Sequence, residues 1–417
     1  MIDLVVIGAG LSGLMAAHAA AKAGCTVKVI AKGLGTLHWS AGTIDLLGYG
    51  PGARADVIRR PLDVIDELGA TVPGHPYALF DGDAIRTTLD EFRQLTEALG
   101  LPYGGAANQG ENLLLPSPAG AARPTYLAPT AQLAGDLQRT EPMVIVGFEG
   151  LRDFYPALIA ENLSKQGMNA RAVMLPHDLL TVRTDANTIQ LAHELDDGAR
   201  AARLATALGS VAKPGERVGL PAILGLDNHA QTFATLQDTL NAPVFEIPTL
   251  PPSVPGVRLF KALRGKLEQM GVRVEAGMEA IAAEYAPAEN GGPPAIRWVA
   301  SETSARPLKH RAGHFVLATG GILGGGFNSD HTGHIWETVF DLPLTVPQAR
   351  NQWFRPRFLD EAGHPVFHGG VAVNRSLQPV DEAGNRRYAN LRVTGGALAG
   401  YDPIVERSLE GVALVSG

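Results

Sequence analysis

Cysteine is nearly missing from this chain of 417 residues, which carries Cys25 and no other. One thiol excludes an intrachain disulfide, and by itself it cannot hold an iron-sulfur cluster or a structural zinc. Electrons that pass through the chain must therefore ride on an organic cofactor. Basic runs are also missing: no cluster of lysine and arginine stands out, and the formal net charge is −7. That balance argues against a nucleic-acid surface or a polybasic membrane face. No segment approaches the ~20 apolar residues of a membrane span. The apolar stretch from Leu4 to Ala21 follows Asp3, has no basic start and is broken by Gly8, Gly10, Ser12 and Gly13. It reads as strand, turn and helix rather than as a signal peptide. The expected location is the cytoplasm, with any membrane link supplied by partners.

What the chain has in plenty is glycine, 49 residues without the three-residue period of collagen, while 29 prolines rule out a long coiled coil. A hydrophobic share of 45% excludes disorder. At roughly 150 residues per domain the length predicts two or three domains.

The first unit reads Asp3-Leu4-Val5-Val6-Ile7, Gly8-Ala9-Gly10-Leu11-Ser12-Gly13, an alanine-rich helix to about Lys22, then Thr26-Val27-Lys28-Val29-Ile30. Apolar run, glycine turn, helix and second apolar run are the marks of a buried parallel βαβ unit. A second such unit spans Pro142 to Gly147, a helical stretch from Leu151 to Gly167, and Ala170 to Leu175. Further strands are expected at Arg217 to Leu224 and Pro243 to Ile247, with a helix from Ala230 to Leu240 between them. The four prolines between Ile247 and Gly256 predict an ordered turn or an active-site wall before a helix from Val257 to Met270. Residues 280–309 suggest a hairpin around Asn290-Gly291-Gly292, and Gly104 to Pro129 reads as loop. Cys25 is expected to be inert and packed.

Gly8-Ala9-Gly10-Leu11-Ser12-Gly13 matches the dinucleotide or flavin phosphate fingerprint in its required context. The first glycine permits the tight turn, the second lets a phosphate reach the backbone, and the third lets helix pack on strand. The helix start then offers oriented N–H groups to the anion. The usual acidic partner for the adenosine ribose belongs about 20 residues on, at the end of the second strand. Ala31 stands there, followed by Lys32. A ribose diol would lack its acceptor, which favours FMN, while FAD stays open if backbone groups or a contact elsewhere hold it. Ala318-Thr319-Gly320-Gly321, after the strand Phe315-Val316-Leu317, is a second glycine turn of the kind that lets a returning chain pass close to the cofactor. Gly147-Phe148-Glu149-Gly150 lacks the middle glycine and is assigned to packing.

Several stretches together resemble one family. They are the fingerprint, Leu37-His38-Trp39-Ser40-Ala41-Gly42-Thr43-Ile44-Asp45, His75-Pro76-Tyr77, Val146 to Phe154, Pro248-Thr249-Leu250-Pro251-Pro252-Ser253-Val254, and Gly396-Ala397-Leu398-Ala399-Gly400-Tyr401-Asp402-Pro403. In this order, over nearly the whole chain, they resemble the B subunit of the anaerobic, quinone-linked glycerol-3-phosphate dehydrogenase, within the fumarate-reductase-like flavoproteins. The resemblance implies an α/β, Rossmann-like FAD/NAD(P)-binding flavoprotein fold with an inserted middle portion. It implies FMN as cofactor, an FAD-containing catalytic subunit and an iron-sulfur membrane-docking subunit as partners, and oxidation of glycerol 3-phosphate to dihydroxyacetone phosphate with reduction of quinone. The expected division is a discontinuous flavin domain from residues 1–50 and 310–417, an insertion over 51–256, and a helix plus hairpin over 257–309. The tail after Asp402-Pro403 is more charged than in the family, which predicts a short or missing closing helix.

The expected cofactor contacts are Gly8, Ala9, Gly10, Ser12, Gly13, Ala31, Lys32, His38, Ser40, Gly42, Thr43, Ala318, Thr319, Gly320, Gly396 and Asp402. Oxidising a secondary alcohol needs a base for the hydroxyl proton and cations for the substrate phosphate. His368 before Gly369-Gly370, with Arg355 and Arg357 upstream, is the candidate set. Two other functions compete: a free-standing FAD oxidoreductase of the fumarate reductase or aspartate oxidase type, and an electron-transfer or assembly subunit that holds flavin without a substrate site.

Overall fold

The computed structural model describes residues 2–51, 56–183, 185–288, 291–302 and 306–417. They form two compact units, one from Met1–Thr36, Asp45–Phe92 and Leu263–Gly417, the other from Leu37–Ile44 and Arg93–Ala262.

The first unit is built on strand β1 (Leu4–Ile7), helix α1 (Leu11–Lys22) and strand β2 (Val27–Ala31). Val5, Val6 and Ile7 are buried, as is all of β2. β2 carries one charge, Lys28, whose Nζ lies 2.8 Å from Glu275 Oε2, and is otherwise apolar like β1, as suits strands covered on both faces. They lie in a five-stranded sheet with the order Arg273–Ala276, β2, β1, His314–Leu317, Leu391–Val393. Every pairing is parallel, with Leu4 opposite both Val27 and His314. The strand that ends at Leu317 therefore delivers Ala318 beside the turn that follows β1. Residues 280–310 add a three-stranded antiparallel sheet of Ala280–Ala286, Ala295–Ser301 and Leu308–His310. Asn290 at the expected hairpin tip lies outside the described residues. The closing helix is present as Leu409–Ser416, and its Ser416 hydroxyl accepts the Gly395 N–H at 2.8 Å. Cys25 is exposed in the connection between α1 and β2 rather than packed, because the chain turns there at the surface.

The second unit has its own parallel sheet, in the order Val244–Ile247, Arg217–Pro221, Met143–Phe148, Ala170–Leu175. Helices Pro156–Lys165, Gly198–Val211 and His229–Leu240 make the crossovers. The first of these starts at Pro156, not at Leu151, because proline disfavours helical backbone in the residue before it and suits the first helical position itself. Gly147 faces that proline: a Cβ there would lie 2.6 Å from Pro156 Cγ, which fits the packing role expected of Gly147-Phe148-Glu149-Gly150. The core buries an ion pair. Arg258 Nη1 and Nη2 donate to Glu246 Oε2 and Oε1 at 2.6 and 2.9 Å, with the side chains 3% and 0% exposed.

Two further local readings differ from the sequence expectation. Gly104 to Pro129 holds strands rather than loop: Tyr103–Gly104 pairs with Ala128–Pro129, and Leu113–Pro116 with Ala122–Thr125. Elements of two to four residues carry too little periodicity to be recognised, and they are held as strands by the partner each one pairs with. The second is the helix after the proline turn, which begins at Val254 and takes Pro255 into its first turn. Among the described residues no helix is long and apolar enough to cross a membrane.

Candidate cofactor site

The glycine turn is shaped by close approach. Gly8 has φ +120, and a Cβ on it would stand 2.1 Å from the Ala318 carbonyl oxygen, while one on Gly13 would stand 2.1 Å from the Gly8 oxygen. Only hydrogen fits at either place, and only glycine adopts the Gly8 φ at no cost. The Gly8 N–H donates to Ile30 O at 2.8 Å and the Ala318 N–H to Ile7 O at 2.8 Å, so the turn is locked to both flanking strands. Gly10 differs, because a Cβ there would meet no protein atom within 4 Å. It is the N-cap of α1, and no side chain caps the helix. The first turn of α1 thus keeps donors that protein side chains leave unfilled, next to open space, where the macrodipole favours an anion.

A second observation points to a ligand. Thr319 Oγ1, in the turn that meets Gly8, is buried without a hydrogen-bond partner, and so is Thr394 Oγ1. A buried hydroxyl left unmatched costs free energy that a bound polar group would recover. Ala9, Ser12 and Ala318 are buried. Gly396 packs on the second glycine turn: a Cβ on Gly321 would come within 2.4 Å of the Gly396 oxygen. A flavin's phosphate would fit this arrangement, with Gly8 to Gly13 as the cradle.

At the end of β2, Ala31 is buried and its carbonyl accepts the Met278 N–H at 2.8 Å. Lys32 points to Glu279, with Nζ 2.8 Å from Oε1. That carboxylate follows the neighbouring strand Arg273–Ala276, and its partner is Lys32, the residue after Ala31. Sequence reasoning that looks only at the end of β2 does not find it. The signal would have been an acid one strand away in space and nearly 250 residues away in the chain, 247 for the Lys32–Glu279 contact.

The structure also joins three residues assigned separately. His368 Nε2 lies 3.8 Å from Asp402 Oδ2, and Arg355 Nε donates to the carbonyl of Gly363 at 3.0 Å. Gly363 itself rests on Asp402, since a Cβ there would be 2.2 Å from Oδ2. Arg357 is exposed. Behind Asp402 is a buried cluster, with His75 Nε2 3.0 Å from Glu406 Oε2 and the rings of His75 and Tyr77 stacked at 5.1 Å. Burial pushes the Tyr77 and Tyr401 phenols up, and nearby carboxylates add to the effect, so both stay protonated.

His38, Ser40, Gly42 and Thr43 fall in the second unit. There the Ser40 hydroxyl donates to Leu37 O at 3.2 Å and accepts the Gly42 N–H at 3.2 Å, and Thr43 Oγ1 accepts from Arg123 Nη1 at 3.0 Å. The His38 carbonyl accepts the Ser253 N–H at 2.8 Å, and its ring meets Phe260 edge-on at 5.1 Å.

A family model described as FAD binding domain matches residues 3–412. The B subunit of a probable anaerobic glycerol-3-phosphate dehydrogenase from Halobacterium salinarum is 34% identical, over 100% of this chain and 96% of its own length. Its counterpart from Yersinia pseudotuberculosis is 32% identical, over 99% and 96%. Among solved structures, the 3-ketosteroid delta1-dehydrogenase from Sterolibacterium denitrificans aligns over 99% of this chain and 98% of its own at 12% identity, with a TM-score of 0.44.

Proposed function

Because the chain belongs to the FAD-binding flavoproteins, and among them to the anaerobic glycerol-3-phosphate dehydrogenase B subunits, we propose that it is a flavin subunit that oxidises sn-glycerol 3-phosphate to dihydroxyacetone phosphate. The electrons pass onward to an iron-sulfur partner and a membrane quinone, since one cysteine leaves this chain no cluster of its own. The observation that carries the reading is the uncapped start of α1 beside open space at Gly10. The flavin, when bound, supplies a two-electron acceptor for the hydrogen on the alcohol carbon. The chain's part is to hold its phosphate on Gly8 to Gly13, to place the alcohol, and to take the hydroxyl proton.

The expectation of FMN is replaced here by FAD. The family model is an FAD-binding domain, and in this reading the ribose acceptor that Ala31 cannot supply is Glu279, the carboxylate paired with Lys32. Flavin released by acid from the purified chain is expected to run as FAD in chromatography. A hydrogen bond to a charged acceptor contributes roughly 1.5–3 kcal/mol, so Glu279→Ala should weaken FAD roughly 10- to 100-fold while leaving FMN affinity unchanged. FMN released from the wild-type chain, or equal weakening of both flavins, would contradict the assignment.

A further inference from the structure

Asp402 is 1% exposed, and its two carboxylate oxygens are in different situations. Oδ1 accepts the N–H groups of Ile404 and Val405 at 2.9 and 3.0 Å. Oδ2 is buried and has no hydrogen-bond partner, and it faces His368 Nε2 at 3.8 Å. The His368 ring is 42% exposed, so its open side is the one turned from the buried acid. Both residues are tied down. Glu406 Oε1 accepts the Asp402 N–H at 3.1 Å, and its Oε2 accepts the Ser408 hydroxyl at 3.1 Å beside His75. The His368 carbonyl accepts the Gly400 N–H at 3.1 Å.

A buried carboxylate oxygen without a donor is costly, and a protein keeps one where a donor can reach it. A donor it faces among the described residues is the His368 imidazole. At 3.8 Å the two are not hydrogen-bonded, and contacts between catalytic groups are often long before substrate closes the site. We propose that Asp402 is a positioning residue that holds the proton of His368 on Nε2, so that Nδ1 presents its lone pair as the base for the substrate hydroxyl. This rests on the functional reading above. In the step, the substrate O–H bond breaks and its proton moves to Nδ1. The O–H electron pair becomes the second carbon–oxygen bond as the carbon's hydrogen leaves with its own pair to the flavin. The carboxylate takes no proton in this step; it fixes the tautomer and stabilises the imidazolium that results.

Asp402→Asn separates this role from a structural one. The two N–H groups on Oδ1 require an oxygen there, which leaves the amide NH₂ in the place of Oδ2, pointing at Nε2. A donor at that place needs the Nε2 lone pair, so the proton moves to Nδ1 and the base is lost. Nitrogen shifts of the full chain labelled with ¹⁵N-histidine, with His368 assigned through His368→Gln, should report a proton on Nε2 in the wild type and on Nδ1 in Asp402→Asn. In the flavin-loaded protein with its partner subunits, flavin reduction by glycerol 3-phosphate should fall roughly 100-fold or more in Asp402→Asn. Half-saturation by substrate should stay unchanged. His368→Gln should fall comparably, and the double variant no further than the single ones. A proton that stays on Nε2 in Asp402→Asn, or losses that multiply in the double variant, would overturn the proposal. If the wild type does not reduce its flavin, the functional reading falls and the base role with it. The nitrogen shifts then still decide whether Asp402 sets the proton on His368.

Discussion

Gly10→Ala is expected to empty the flavin site of a protein that remains as stable as the wild type, whereas Gly8→Ala is expected to lose both flavin and fold. The two glycines sit two residues apart in one turn and differ in what a methyl group would meet. At Gly10 the backbone is φ −73, ψ 179, a conformation open to any residue, and the new Cβ would enter empty space. Alanine there costs the fold nothing and can add about 0.4–1 kcal/mol by restricting the unfolded chain. The same methyl would stand where a phosphate must approach the N-cap of α1. Gly8 has φ +120, and its Cβ would lie 2.1 Å from Ala318 O, 2.5 Å from Ala318 C and 3.0 Å from Thr319 N. Those are backbone atoms at the end of the adjoining strand, so relief requires β1 and His314–Leu317 to separate. The cost is that of a strained core substitution, several kcal/mol against a total of about 5–15. Thermal melts and bound-flavin absorbance on both variants check this. Equal melting temperatures, or full flavin in Gly10→Ala, would contradict the turn's assignment.

The second large effect is expected from Arg258→Met. This change leaves the Glu246 carboxylate in the core with the Leu224 N–H at 2.8 Å as its remaining donor. Breaking a buried pair by removing one member costs about 3–5 kcal/mol, read as a lower midpoint in urea. Arg258→Met with Glu246→Leu should recover part of that loss, because no isolated charge remains. The pH dependence carries a sign that identifies the cause. Burial pushes the Glu246 carboxyl up, but the Arg258 guanidinium and the Leu224 N–H outweigh it and hold the pKa low. In the wild type Glu246 therefore contributes stability above the ordinary carboxylate range that is lost as pH falls through the lowered value. His229 acts in the same direction. Burial and then Arg258 bring it down to about 4 from 6.5, so the native state excludes a proton that the unfolded chain accepts, and stability falls from pH 6.5 towards 4. In Arg258→Met burial acts on Glu246 without its countercharge. The folded pKa then lies above the unfolded one, and acidification through that range stabilises the Glu246 site. His229 stays buried in the variant, so denaturation midpoints across this pH range should show a shallower loss on acidification than in the wild type, and a variant that follows the wild-type slope would contradict this.

The elements that could be read from sequence were the ones whose signals are local. β1, the glycine turn, α1 and β2 lie within 31 residues, and each glycine's spacing states its role before any contact is known. The strands Met143–Phe148 and Ala170–Leu175 were legible for the same reason, as buried apolar runs around a helix. What escaped depends on distant chain. Glu279 meets Lys32, next to Ala31, only because Arg273–Ala276 pairs with β2. Ala31 by itself pointed to FMN, since the turn and strand that carry the acid come from elsewhere. His368 and Asp402 were picked out for different reasons, and no sequence spacing relates them. Their approach depends on Gly363 fitting against Oδ2 and on Glu406 holding the turn. The closing helix, expected short or missing because the approach to it is charged, is present and short, and those charges have partners: Glu406 is 1% exposed beside His75 and Arg407 pairs with Asp45 at 2.9 Å. Burial with a partner makes such residues compatible with a packed end, and composition does not report partners.

The most direct measurement is anaerobic mixing of the flavin-loaded chain with sn-glycerol 3-phosphate, alone and with its co-purified partner subunits, while the flavin's visible absorbance is followed. The account predicts bleaching of this chain's flavin by the wild type, none by Gly10→Ala, and dihydroxyacetone phosphate formed in proportion to the flavin reduced. Bleaching confined to a partner's flavin, with this chain's flavin oxidised until electrons arrive from that partner, would contradict it and leave the chain an electron carrier.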